Sequence, residues 1–473
     1  MSGLTFKTFA GSSTTLDPSV AKELAGSIKG EILTADSPEF DKVRAIWNAM
    51  IDRKPALIAR CRTTEDVAQC VKFAKQHGLL VAVRGGGHNI AGNAVCEGGL
   101  LIDLSLMRAV QVDPAKKVAR VEGGALLGDV DQATQAHGLA VPVGINSTTG
   151  IAGLTLGGGF GWISRKYGLT IDNLLSATVV TAAGEKLTAS EKENSDLFWA
   201  IRGGGGNFGV VTSFEFRLHA IGTEVLSGLI IHPLADAKKV LKFYRDFALK
   251  APDELAVWFV LRKAPPLPFL PESWHGKEIL AVAACYTGDL KTGEQVLQPL
   301  RAFGNPIADI IAPHPFTAWQ QVLDPLLTPG MRNYWKSHEF LDVPEGLIDV
   351  FVDFAGRLPD PQTEIAFAQL GGAIGRVPND ATAYSHREAK FLVNLHGRWD
   401  SAANDKKGID WSRDLFKACG PFSTGAVYVN FLTADEEERV KMAYGANHAK
   451  LVAIKKKYDP TNLFRMNMNI RPS

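Results

Sequence analysis

The stretch VAVRGGGHNIAGN, residues 81–93, decides how the first half of this chain is read. An apolar run ends at Arg84, three glycines follow (Gly85, Gly86, Gly87), and a titratable ring, His88, closes them. Consecutive glycines cost backbone order, so a fold keeps them where the main chain must approach something closely. Upstream, LIARC (57–61) reads as a short buried strand. Thr63 with Asp66 three residues on makes a capping-box-like helix start, Val67, Val71 and Ala74 continue at helical spacing, and Gly78 ends the helix. LLVAV (79–83) is the next strand and runs straight into the glycines. The unit is β-α-β followed by a loop.

Working outward, GGLLIDLSLM and KKVARVEGG give two further strands, and residues 125–141 read as a helix. Residues 174–190 read as a hairpin with Gly184 in its turn. From about residue 225 the texture changes. Alternating strands such as ILAVAACYT (279–287) and IAFAQLGGAIG (365–375) mix with helices such as 235–249. RKAPPLPFLPES (262–273) is a proline-rich loop expected to lie ordered on the surface. The end of the chain is a helix with Leu451, Ile454 and Tyr458 in register, then Asp-Pro and an Asn-rich tail.

Two more glycine clusters lie at 150–168 and 203–209. The second contains Gly204-x-Gly206-x-x-Gly209, which formally matches the dinucleotide fingerprint. That fingerprint needs a strand before it and a helix after it, whereas VVTSFEF follows here and alternates as a strand. A Rossmann NAD site is therefore not supported, and there is no P-loop. Glycine loops between strands still present backbone N–H groups that cradle a pyrophosphate. In NSTTGIAGLTLGGGFGWISRKYGLTIDN (146–173) the glycine spacing leaves one side of a long loop almost bare, a surface against which a flat ring can lie. VYVNF (427–431) reads as a strand whose alternation puts Tyr428 and Asn430 on one face.

Composition bounds the rest. At 473 residues the chain exceeds what one core usually serves, so two lobes are expected. A net charge of +1 argues against nucleic acid or an anionic membrane as main partner. Five scattered cysteines give neither a disulfide framework nor a zinc site, and His386, His396 and Arg387 suit no standard metal spacing. No metal is expected. HExxH and GxSxG are absent. The N-terminus lacks the layout of a secretory signal, and no run reaches the roughly 18 apolar residues of a membrane span, so the cytoplasm is the default. Nothing in the sequence speaks to oligomeric state.

Taken together, the loop at 84–88, the GLTLGGGFGW…YGLTIDN block, FWAIRGGGGNFGVVTSFEF (198–216) and KLVAIKKKYDPTNLFRMNMNI (450–470) fall in an order and spacing that resemble the berberine-bridge-enzyme-like FAD-linked oxidases. These belong to the vanillyl-alcohol-oxidase, or PCMH-type FAD-binding, superfamily. The resemblance spans about residue 50 to the end. It implies an α+β, two-lobe PCMH-type fold: an FAD-binding domain at 1–222 (core about 52–222), an antiparallel-sheet substrate domain backed by helices at 223–430, and a segment at 431–473 that returns to the FAD domain. It implies FAD held by Arg84, Gly85, Gly86, Gly87, His88, Asn89 and Gly92. From the long loop it adds Asn146, Thr149, Gly150, Gly153, Leu154, Gly158, Gly159, Gly161, Tyr167, Gly168, Asp172 and Asn173. Gly209, Val211, Asn467 and Asn469 complete the set. His88 would be joined covalently to the flavin 8α-methyl. Relatives with a second link carry a cysteine where this chain has Asn146, so a single link is expected. Thr149 stands where an aliphatic residue usually borders the flavin's oxygen-reactive side.

The family's YxNY stretch is YVNF here, with Phe431 in place of the second tyrosine. The resemblance points to Tyr428 as the proton acceptor, with Asn430 beside it and Gln369 facing the substrate. A phenol with an ordinary pKa of about 10 needs help to act as a base near neutrality, and Lys336 and Arg398 are the candidate cations. The implied activity is an oxidase: hydride passes from a carbon next to a hydroxyl or amine of a small aromatic or alicyclic substrate to flavin N5, and O2 becomes hydrogen peroxide. Trp258, Phe259, Tyr334, Trp335 and Trp399 are candidate pocket aromatics. The alternatives are an oxygen-insensitive dehydrogenase of the same build and a non-redox flavoprotein, acting as a cyclase or a binding scaffold.

Overall fold

The structure, a computed structural model, describes residues 4–472. Thr63 caps the helix Thr64–Gln76, accepting from the Asp66 N–H at 3.1 Å and donating to its carboxylate at 2.9 Å. Val67, Cys70, Val71 and Ala74 form its buried stripe. The helix joins the strands Leu57–Arg60 and Val81–Arg84, which flank Leu100–Asp103 in parallel register. Glu31–Leu33 adds an antiparallel edge to this four-stranded sheet.

A second, antiparallel sheet runs in the order Lys186–Ser190, Leu174–Val180, Val210–Arg217, Val118–Glu122, Val110–Asp113. Its first two strands form the hairpin, with Gly184 at φ +73° in the turn. The C-terminal helix His448–Tyr458 packs onto this sheet: Leu451, Ile454 and Tyr458 share one core with Val121, Phe214 and Phe216.

The third sheet is antiparallel and eight-stranded. Its inner strands are Glu224–Pro233, Glu278–Tyr286, Leu255–Lys263, Glu364–Gln369 and Phe391–Trp399, with Arg332–Phe340 at one edge. Side chains alternate across a pleated strand. One face (Val257, Phe259, Leu261, Leu280, Val282, Ile365, Phe367, Val393, Leu395) is closed by helices that supply Tyr244, Leu347, Phe351 and Trp411. The other face carries Trp258, Val260, Arg262, Ala281, Ala283, Glu364, Ala366, Ala368, Asn394 and His396, and it looks onto the glycine loops. Four alanines at the centre of that face leave a hollow. The proline-rich loop is ordered, with Ala264 and Leu270 buried against Ile231 and Ile279. Among the described residues no helix is long and apolar enough to cross a membrane.

Three local expectations change. VYVNF is not a strand: Val429–Phe431 is a 3₁₀ turn that follows an extended Tyr428. The strand at 365–375 stops at Gln369, because Gly371 and Gly372 turn the chain at φ +78° and +58°. The helix at 125–141 spans only Leu127–Gln135, and Gly138 at φ +64° releases the chain into a two-residue strand.

Candidate active site

A cavity of about 400 Å³ separates the glycine loops from the bare face of the third sheet. At Gly86, Gly150 and Gly157 the loops are bare backbone because a side chain has no room. A Cβ built on Gly86 would meet the Gly150 nitrogen at 2.3 Å, and one on Gly157 would meet the Asn430 amide at 2.3 Å. Gly85, Gly86, Gly87, His88, Asn89, Asn146, Thr149, Gly150, Gly153, Leu154, Gly209, Val211 and Asn467 line the cavity.

His88 stands where the loop enters the cavity. Its Nε2 lies 2.9 Å from Thr148 Oγ1 and its Nδ1 3.4 Å from Thr149 Oγ1. The Trp47 ring stacks on the imidazole at 5.2 Å and 23°. Burial pushes the His88 pKa down to about 3, so the ring is neutral at physiological pH. Asn146 accepts both the backbone N–H and the hydroxyl of Thr148, at 3.0 and 2.6 Å.

Tyr428 and Asn430 come together although the strand reading fails, because the 3₁₀ turn brings the amide onto the phenol. Tyr428 OH accepts from Asn430 Nδ2 at 3.0 Å and from the Gly159 N–H at 3.1 Å. Burial outweighs these two donors and pushes the phenol up to about 12. The expected cations are elsewhere. Lys336 is taken by Thr433, Asp435 and Glu436, and Arg398 by Thr328, Gln362 and Asn333. At neutral pH Tyr428 is therefore a phenol with both lone pairs occupied and its proton free to donate.

Other candidates lie apart from the cavity wall. Gln369 does not face it: its amide accepts from the Val257 N–H at 2.9 Å and donates to Ala248 O at 2.5 Å, tying two elements together. Asp172 pairs with Arg387 at 2.7 Å and caps the Leu169 N–H at 2.8 Å, while Gly168 turns above it at φ +82°. Asn173 donates to Tyr167 O and Leu169 O, and Tyr167 stacks on His219 at 4.0 Å. This block shapes the long loop from behind. Gly158, Gly159 and Gly161 are the turns beneath Tyr428, and a Cβ on Gly161 would meet Val143 O at 1.9 Å. Gly92 receives Arg53 on its carbonyl at 2.7 Å. Arg84 borders a second, outer cleft; its Nε lies 4.0 Å from Asp103 Oδ1, but Nε and one Nη are buried without a hydrogen-bond partner, as is Asn469 Oδ1. Of the pocket aromatics, Trp258, Phe259 and Trp335 border the cavity, Phe259 with its ring in the helix-backed core, stacked on Phe367 at 4.6 Å. Tyr334 bonds Asp435 and Trp399 bonds Asp405, both away from the cavity.

One polar group on the cavity wall escapes the sequence reading. Glu364 Oε2 lies 2.7 Å from Arg262 Nη1, and its Oε1 lies 3.2 Å from His396 Nδ1. His396 Nε2 reaches Asn333 Oδ1 at 3.1 Å. Arg262 and His396 hold the Glu364 carboxyl at about 2 despite burial, and burial lowers the His396 pKa. The signal was present as alternation: Glu364, Ala366 and Ala368 share a face, as do Asn394 and His396. Only the pairing of Glu364 with His396 in the strand register brings the carboxylate and the imidazole together.

Comparison with known proteins gives the same picture. Residues 55–190 match an FAD binding domain model and residues 427–471 match "Berberine and berberine like". The chain is 33% identical over 460 residues to (R)-6-hydroxynicotine oxidase of Paenarthrobacter nicotinovorans, covering 94% of this chain and 97% of that one. It is 32% identical over 459 residues to an FAD-linked oxidoreductase of Dictyostelium discoideum, covering 96% and 97%. The crystal structure of 6-hydroxy-D-nicotine oxidase from Arthrobacter nicotinovorans superposes with a TM-score of 0.85 at 30% identity, covering 94% of this chain and 99% of that one. The site suits the cofactor that the FAD binding domain match implies: a wall of glycine backbone lining the cavity, and a neutral imidazole at its edge. With its α+β, PCMH-type architecture, this chain belongs to the berberine-bridge-enzyme-like FAD-linked oxidoreductases.

Proposed function

We propose that the protein is an FAD-dependent oxidase that removes a hydride from a carbon bearing a hydroxyl or amine, with the substrate lying between the glycine loops and the third sheet. The observation that carries this reading is the cavity itself, with a glycine cradle and His88 on one side and the Arg262–Glu364–His396 group on the other. We read residues 1–222 and 431–473 as the cofactor lobe, 223–430 as the substrate lobe, and His88 as the single point of covalent attachment. Bound FAD supplies the hydride acceptor and hands the electron pair to dioxygen.

The chain's own residues do the rest. A carboxylate has about four lone-pair sites, and Arg262 and His396 engage one each, so Glu364 can still accept from a substrate hydroxyl or amine. Loss of hydride makes the forming carbonyl's O–H strongly acidic, so a weakly basic carboxylate suffices to take its proton. Tyr428, with its lone pairs filled, donates from the loop side. The alanine hollow and the indoles of Trp258 and Trp335 suit a flat apolar ring, and Leu267, Leu270, Leu323 and Leu326 extend the apolar lining. Anaerobic mixing with a panel of aromatic and alicyclic alcohols and amines tests the reading. The expected result is bleaching of the flavin absorbance, then peroxide when air is admitted. Bleaching without peroxide would make the protein a dehydrogenase, and no bleaching with any compound would remove the redox role.

A further inference from the structure

The hydrogen bonds around His88 contain a chain with one consistent direction. Asn146 Nδ2 donates to Leu327 O at 3.3 Å, and its Oδ1 receives the Thr148 N–H at 3.0 Å, so the amide is oriented from both ends. The Thr148 hydroxyl is then committed: it donates to Asn146 Oδ1 at 2.6 Å. A hydroxyl has one proton. Thr148 Oγ1 can therefore meet His88 Nε2, 2.9 Å away, only as an acceptor, and Nε2 must carry the hydrogen. In a neutral imidazole the other nitrogen then holds the lone pair. That nitrogen, Nδ1, has only Thr149 Oγ1 at 3.4 Å, a distance at the limit of hydrogen bonding. Trp47, stacked on the ring at 5.2 Å, opposes the flip that would exchange the two nitrogens.

We propose that Asn146 and Thr148 are positioning residues for flavin attachment: they fix the His88 tautomer so that Nδ1 is the nucleophile. The proposal rests on the reading of His88 as the attachment point. It gives a purpose to the asparagine that stands where a second linking cysteine is found in other members of the family. In the step, a bond forms between Nδ1 and the flavin C8α carbon and one C8α–H bond breaks. The electron pair of that bond stays on the flavin, which dioxygen then reoxidises. The C8α proton and the Nε2 proton leave, and the balance is one hydrogen peroxide per link formed. While Nε2 still holds its proton the imidazole is cationic, and the Thr148–Asn146 chain stabilises it by a charge-assisted bond.

The test uses the full chain, purified from flavin-starved cells and mixed with FAD. Covalent FAD is followed by the intact mass of denatured samples, and total bound FAD by absorbance before denaturation. Thr148→Val keeps the shape and removes the hydroxyl. It should bind FAD yet link it about tenfold to a hundredfold more slowly, the effect of losing a hydrogen bond to a charged group. Thr148→Ser should link at nearly the wild-type rate, a rescue that a merely structural role would not produce. Asn146→Ala should be slow, like Thr148→Val. Linking at the wild-type rate in both Thr148→Val and Asn146→Ala would overturn the relay while leaving His88 as the attachment point. Wild type that binds FAD and never gains its mass would overturn the attachment reading itself, and the relay with it.

Discussion

At the residue scale, two titratable groups of opposite character face the cavity. Glu364 is kept ionised by Arg262 and His396, whereas Tyr428 is kept protonated by burial. Glu364→Gln should keep bound flavin and lower kcat about 10²–10³-fold, as expected when a proton acceptor is removed. Tyr428→Phe should cost less, about tenfold, because it removes only a donor. The pH profile separates the roles. With Glu364 ionised above about pH 3 and Tyr428 a phenol until about pH 12, kcat should be flat from pH 7 to pH 10; any acid limb belongs to His396, whose pKa is lowered below its usual 6.5. A profile climbing steadily to pH 10 and abolished in Tyr428→Phe would return the proton to the tyrosine. His88, Tyr428 and Asn430 were legible because each sits in a local motif. Glu364 was not, because its partners Arg262 and His396 lie 102 and 32 residues away and only strand register joins them. Gln369 misled for the same reason: its position on a strand was readable, but its amide's two backbone partners were not.

At the element scale, the glycine loops and the third sheet are each built around what they leave out. Gly86→Ala places a methyl group 2.3 Å from the Gly150 backbone, where neither chain can yield cheaply. The variant should lose about 1–3 kcal/mol of stability in denaturant melts and bind FAD poorly. On the third sheet, neighbouring residues should respond oppositely. Phe367→Ala empties the helix-backed core and should cost roughly 3–5 kcal/mol in the same melts. Ala366→Leu fills the hollow on the other face, so it should change stability little and raise KM sharply for ring substrates. Equal stability losses from the two would contradict the two-faced sheet. Elements fixed by local chemistry were readable: the Thr63 cap with its helix, and the hairpin at Gly184. The 3₁₀ turn at Val429–Phe431 was not, since its alternating apolar residues also suit a strand and what overrides that pattern is the contact with the loop at Gly157–Gly159.

At the scale of the whole molecule, the glycine-loop side of the cavity is tied to the C-terminal segment, far away in sequence. Lys455, fully buried on the C-terminal helix, donates to Asn207 O at 2.7 Å and Phe464 O at 3.1 Å and pairs with Asp459 at 2.7 Å. Lys455→Met strands the Asp459 carboxylate and unties the tail from the glycine cluster at 203–209. It should cost about 3 kcal/mol or more and loosen FAD together with the fold, which calorimetry with and without added FAD will show. The order of the four glycine and tail blocks made this architecture legible, while the contacts that close it, such as Lys455 on Asn207, came only with the structure. The most direct measurement is the intact mass of denatured wild type beside His88→Ala. Wild type should exceed its sequence mass by one FAD, and His88→Ala should carry none. Wild type at its bare sequence mass with flavin released on unfolding, or a variant that keeps the added mass, would contradict attachment through His88.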